Sequence, residues 1–146
     1  MKKEEETTSR LEQSLKEVDD DRKADAFINE HCGNAWDSFS DYYLKYVGKH
    51  DEDISEIVAS AGFGDYAYQI INGIRKPVNR DRIIALCLAA GMSVTETDRA
   101  LRLADHFPLN PKDERDVRIV VCINNGMNKV VDVNLELDRF GLPPLE

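Results

Sequence analysis

The sequence predicts an all-α protein. Three observations carry that expectation: apolar side chains recur at helical spacing in successive segments, glycine, proline and capping residues separate those segments, and no strand-like alternation of useful length occurs. At 146 residues the chain can bury most of its apolar surface as one unit without metals or disulfides. The expected organisation is a charged leader over residues 1–23, a helical module over 24–92, and a C-terminal helical hairpin extension over 93–146 packed on the same core.

In the leader, Leu11, Leu15 and Val18 stand at i, i+4 and i+7. They suit one docking helix, while residues 2–9 offer nothing to bury and suit a solvated tail. Ala24, Ala26, Phe27 and Ile28 predict a short helix stopped by Gly33, with Trp36 and Phe39 pinning its exit. Ser38 or Ser40 can cap the next helix, whose Phe39, Tyr42, Tyr43, Tyr46 and Val47 form a broad apolar face before Gly48. Asp53 and Glu56 have the spacing of a capping box for a helix bearing Ile54, Ile57, Val58 and Ala61, which Gly62 closes. Asp65 can then cap a short helix with Ala67, Ile70 and Ile71 on its inner stripe, ended by Gly73 before Arg75, Lys76 and Pro77. Two short helices joined by a glycine-containing turn are the sequence form of a helix-turn-helix.

An internal repeat follows. RDRIIALCLAAGM from Arg80 matches RDVRIVVCINNGM from Arg115, with identity at Arg80/Arg115, Asp81/Asp116, Ile84/Ile119, Cys87/Cys122, Gly91/Gly126 and Met92/Met127. Each block leads into a further helical segment, which predicts two related hairpins stacked to extend one core. In the first, Ser93 and Glu96 form a capping box, and Leu101, Leu103 and Ala104 lead to a break at residues 108–111. In the second, Asn128 can cap a helix carrying Val130, Val131, Leu135 and Leu137, ended by Gly141 and Pro143. The apolar tail of Leu142, Pro143, Pro144 and Leu145 is expected to close the repeat.

Over about residues 38–92 the chain resembles the lambda-repressor-like (XRE-type) DNA-binding family. The residues that carry the resemblance are Ala61 and Gly62 at the end of the leading helix, then Asn72, Gly73, Arg75 and Lys76 at the end of the second. The resemblance implies a repressor-like bundle whose helix 65–72 enters the major groove, with Ala67 and Ile70 facing inward and Asp65, Tyr66, Tyr68, Gln69 and Asn72 outward. It implies a base-reading position at Gln69, whose amide can pair bidentately with adenine, and phosphate contacts from Asn72, Arg75, Lys76 and Arg80. Two features depart from the family pattern: the glycines stand 11 positions apart, about one fewer than usual, and Val58 replaces a small residue.

The net charge of −9 opposes generic nucleic-acid binding, yet the charge is unevenly distributed. Residues 1–37 carry 6 basic and 11 acidic side chains, residues 38–92 carry 6 and 7, and residues 93–146 carry 7 and 10, so the candidate reader is the least acidic third. Between Phe63 and Arg82 the cations Arg75, Lys76, Arg80 and Arg82 face only Asp65 and Asp81. Other chemistry finds less support. His31, His50 and His106 are scattered, and Cys32, Cys87 and Cys122 lack metal-ligand spacing and suit free thiols in a reducing compartment. Glycines 62, 64 and 73 form no phosphate loop, and no apolar run reaches membrane length. The expectation is a cytoplasmic, non-enzymatic protein without metal or cofactor, binding double-stranded DNA as a transcriptional regulator, with a homodimer suited to a two-fold site. The alternative is a protein–protein interaction module on the same scaffold, presenting Tyr66 and Tyr68 to a protein partner.

Overall fold

The computed structural model describes residues 38–146, and every regular element among them is an α-helix. In chain order these are α1 (Phe39–Lys49), α2 (Ile54–Ala61), α3 (Tyr66–Ile71), α4 (Arg80–Ala89), α5 (Val94–Leu103), α6 (Glu114–Asn124) and α7 (Val130–Arg139). The expected leader helix, the helix from Ala24 to Gly33, Trp36, His31 and Cys32 lie outside the described residues.

Local chemistry sets most helix starts. Ser38, not Ser40, caps α1 by accepting the Asp41 N–H at 3.1 Å. Ser93 and Glu96 close a full capping box on α5. Asp53 departs from that pattern: its Oδ1 accepts from the N–H and hydroxyl of Ser55, and Glu56 closes no box. The sequence also misplaces two boundaries. α1 runs through Gly48 to Lys49, and α7 begins after Lys129, so Asn128 does not cap it. Along α7 the buried stripe is Val130, Val133 and Leu137, while Val131 and Leu135 face outward. Rotation around that short helix is fixed by its packing on α6, which the list of apolar residues does not encode.

The core is built around α4. Ile83, Ile84, Leu86, Cys87 and Leu88 are all buried, so this helix is covered on every side. It packs against α2, α5 and α7. α1 lies across α3 and α5 and is fixed by polar anchors. The Tyr43 hydroxyl donates to the Leu86 carbonyl at 2.6 Å, and Tyr42 donates to the Glu96 carbonyl at 3.2 Å. Burial pushes the Tyr43 phenol well above its ordinary pKa, so it remains a donor.

The Arg-Asp pairs that open the two sequence repeats bind each other crosswise. Arg80 donates through Nη1 and Nη2 to Asp116 at 3.2 and 2.8 Å, and Arg115 does the same to Asp81 at 3.0 and 2.8 Å. The remaining donors also match. Arg80 reaches the carbonyls of Phe107 and Pro108, just as Arg115 reaches those of Pro143 and Pro144. Backbone N–H groups complete the correspondence: Leu109 donates to Asp98 and Leu145 to Asn134, while Asn110 donates to Asp116 and Glu146 to Asp81. Each guanidinium therefore joins the start of one helix pair to the start of the other and to the segment leaving its own pair. The C-terminal tail is drawn in by the same bonds, and Leu145 is buried.

Asp116 is nearly fully buried, so removing it strands the Arg80 cation in a poorly solvated place. Asp116→Ala is expected to destabilise the fold by about 3 kcal/mol or more, read as a fall in the urea midpoint. A loss below 1 kcal/mol would mean that water replaces the pair freely. Burial alone would raise the Asp81 carboxyl, but hydrogen bonds from Arg115 and the Glu146 N–H, with the charges of Arg115 and Arg80, hold it below its ordinary pKa. A depressed carboxylate pKa stabilises the fold above the unfolded value near ~4, and that contribution fades as pH falls through the folded value. Asp81→Asn should therefore flatten the loss of thermal stability as pH falls below about 4, relative to the parent chain.

Candidate functional site

The candidate face is formed by α2, the turn at residues 62–65, α3 and the exit segment of residues 72–79. Gly62 takes φ +80° and returns its N–H to the Val58 carbonyl at 3.4 Å, which ends α2 and turns the chain. α3 has six residues and buries Ala67, Ile70 and Ile71, so its inner side follows the expected stripe. Its far end is tied down twice. The Ser40 hydroxyl donates to the Ile71 carbonyl at 2.6 Å, and the Gln69 carbonyl accepts from the N–H groups of Ile74 and Arg75 at 2.8 and 3.1 Å. Gly73, at φ +75°, lets the chain leave beside Ser40.

The candidate residues fall into three groups. Gln69, Asn72, Arg75 and Lys76 gather at the C-terminal end of α3 and its exit, with Gln69 half-buried and the other three exposed. Arg75 Nε donates to Gln69 Oε1, which fixes the amide without using all of its capacity. That oxygen retains a second lone pair, and the amide nitrogen keeps both protons. Tyr66 and Tyr68 are half-buried and packed against the core, so neither is a freely projecting ring. Asp65 is exposed at the start of α3, but its backbone is already helical (φ −63°, ψ −16°) and its carboxylate caps no N–H.

Arg80 belongs elsewhere. The resemblance implied a phosphate contact, but its guanidinium is engaged by Asp116 and the carbonyls of Phe107 and Pro108. The cation that does approach α3 is Arg82, which sequence reading had counted in the local charge but not among the site residues. Its guanidinium carbon lies 4.6 Å from the Tyr66 ring centre and 5.3 Å from that of Phe63, and Arg75 lies 4.9 Å from Tyr66. The signal for this exchange was in the sequence: Arg80 has a repeat counterpart in Arg115, whereas Arg82 has Val117. A residue shared by both copies suits a role in joining them.

No group of three or more His, Cys, Asp or Glu side chains is placed to hold a metal ion, and no helix is long and apolar enough to cross a membrane, among the described residues. Cys87 and Cys122 are free and buried, and burial pushes both thiols above their ordinary pKa. His50 stacks on Tyr46, and His106 Nε2 lies 2.8 Å from the Pro77 carbonyl, which fastens the exit of α3 to the end of α5.

The two turn glycines should differ in how they tolerate alanine. A methyl at Gly62 would meet nothing within 4 Å, so Gly62→Ala is expected to cost only the left-handed backbone penalty of about 1 to 2 kcal/mol. At Gly73 the added carbon would also stand 3.2 Å from Ser40 Oγ and 3.4 Å from Ser40 Cβ. Gly73→Ala should therefore lower the melting temperature further than Gly62→Ala, and the reverse order would show that the α1–α3 contact yields easily. In comparisons with known proteins, no family model, no curated protein and no solved structure matches this chain.

Proposed function

We propose that the chain is a DNA-binding transcriptional regulator of the helix-turn-helix type, a repressor-like module extended by a repeated helical hairpin, with the helix at 65–72 as its reader. The observation that supports this reading most directly is the Arg75–Gln69 bond. It pre-orients a base-reading amide at the exposed end of a short helix, beside Asn72 and Lys76. Gln69 is suited to adenine through its free amide protons and remaining lone pair. Lys76 and Asn72 are suited to phosphates on either side. One copy offers few such contacts, so useful affinity calls for a dimer on a two-fold site.

One set of side chains favours the second reading, a protein-interaction module. Ile74 and Val78 are 75% exposed and Phe107 is 85% exposed, all on the segments that His106 and Arg80 fasten together. Apolar groups held this openly suit a protein partner. Tyr66 and Tyr68, which first suggested that role, are too enclosed to lead it.

Fluorescence anisotropy against a pool of duplex fragments at several salt concentrations separates the two. On the regulator reading, binding weakens steeply with salt, and Lys76→Ala lowers affinity on all fragments with a salt slope smaller by about 0.9. Gln69→Ala should compress the difference between preferred and other fragments by about 1 to 3 kcal/mol. Absence of duplex binding by the parent chain at low salt would sink the regulator reading and turn attention to the Ile74, Val78 and Phe107 face.

A further inference from the structure

Two arginines converge on one ring at the start of α3. Arg75 comes from the exit segment and Arg82 from the first turn of α4, and both guanidinium carbons lie within 5 Å of the Tyr66 ring centre. The two cations therefore stand within about 10 Å of each other. Neither has a carboxylate in ion-pair distance among the described residues. In a chain with nine more acids than bases, both cations at Tyr66 thus stand without a counter-charge, Arg82 half-buried and Arg75 exposed. Arg80 and Arg115 are each matched by an aspartate; at the other ring shared by two arginines, Phe140, Arg139 has Glu136 at 3.5 Å, while Arg118 has no carboxylate in ion-pair distance among the described residues.

Arg82 is not part of the shared clasp: the corresponding position of α6 is Val117, which is 39% exposed, and Arg82 Nε is buried without a hydrogen-bond acceptor. Stacking on Tyr66 and Phe63 holds the guanidinium plane in place while leaving its charge unneutralised. Two like charges gathered on one ring repel each other, and an anion placed against them removes that repulsion. Planar guanidiniums suit phosphate in particular, because their paired N–H groups match its oxygens.

We propose that Arg75 and Arg82, positioned by Tyr66, form a clamp for the phosphate backbone of one strand of duplex DNA. This rests on the DNA-binding reading and assigns Arg82, a residue of α4, to the interface. In the bound complex the clamp engages the backbone beside the start of α3, while Gln69 reads from its far end. The contact carries no sequence information; it sets the register in which α3 meets the bases.

The test compares the parent chain with Arg82→Gln, Arg82→Lys and Arg75→Gln on a random-sequence duplex of about 30 base pairs, by anisotropy from 50 to 250 mM salt. Each glutamine variant should lower the slope of log affinity against log salt by about 0.9, whatever the duplex sequence. Arg82→Lys should keep the parent slope. Partial unfolding would reduce the active fraction at every salt concentration and leave the slope alone, so a purely structural Arg82 would not mimic this result. If the glutamine variants fail to fold, arginine side-chain Nε–H resonances of the parent chain are followed during titration with the same duplex, and both Arg75 and Arg82 should shift. Parent binding with an unchanged Arg82→Gln slope, or with a stationary Arg82 resonance, overturns the clamp and leaves the DNA reading standing. No duplex binding by the parent chain overturns both, and binding of polyglutamate alone, lost in Arg82→Gln, would reassign the clamp to an acidic protein.

Discussion

The crossed pairing of Arg80 with Asp116 and Arg115 with Asp81 is the constraint on which the other packing depends. It joins the first turns of α4 and α6, and each arginine also holds two carbonyls of the segment leaving its own helix pair. A buried ion pair is weak support for stability by itself, because desolvation offsets much of the attraction. What it does here is fix register. Planar, bidentate geometry tolerates little sliding, so α4 and α6 meet at one relative height, and α5 and α7 fall into corresponding places.

With that height set, α4 can be buried all round. Its inner side meets α5 and α7, and its remaining side takes α2 and the Tyr43 hydroxyl from α1. The matching side of α6 carries Val117 and Val121, which stay partly exposed. The two copies thus share their clasp but not their cover. In the first copy α1 and α2 close the core, and α3 packs on both of them.

Much of this was legible in the sequence because it depends on local signals. The all-helical class, the α2–α3 turn at Gly62, the box at Ser93 and Glu96, and the inner stripe of Ala67, Ile70 and Ile71 each follow from spacing or capping. What escaped depends on contacts between segments far apart in the chain. The repeated Arg-Asp dipeptide was visible, but its crosswise pairing requires a three-dimensional arrangement of two helices that composition does not specify. The resemblance therefore groups Arg80 with Arg75 and Lys76, although its bonds run to residues 27 to 36 positions away. The outward turn of Val131 and Leu135 escaped for a related reason: an apolar residue marks a helix face only when the packing neighbour is known.

The first turn of α4 shows how structure and candidate site are joined. Successive helix residues point about 100° apart, so two neighbours can share a broad side of the helix but the third is carried round to another. Arg80 and Asp81 face the second helix pair and make the clasp. Arg82 is thereby turned toward Phe63 and Tyr66, at the start of α3. Its position is inherited from the bonds that its two neighbours make. A side chain supported in this way loses little freedom on meeting a ligand, which is the advantage of placing an interface cation on a buried helix instead of a loop. Arg75 on the exit segment lacks that support from a helix and takes it from Gln69 and Tyr66 instead. The face is consequently ordered from two sides, by α4 beneath the start of α3 and by Ser40, Gln69 and His106 around its exit.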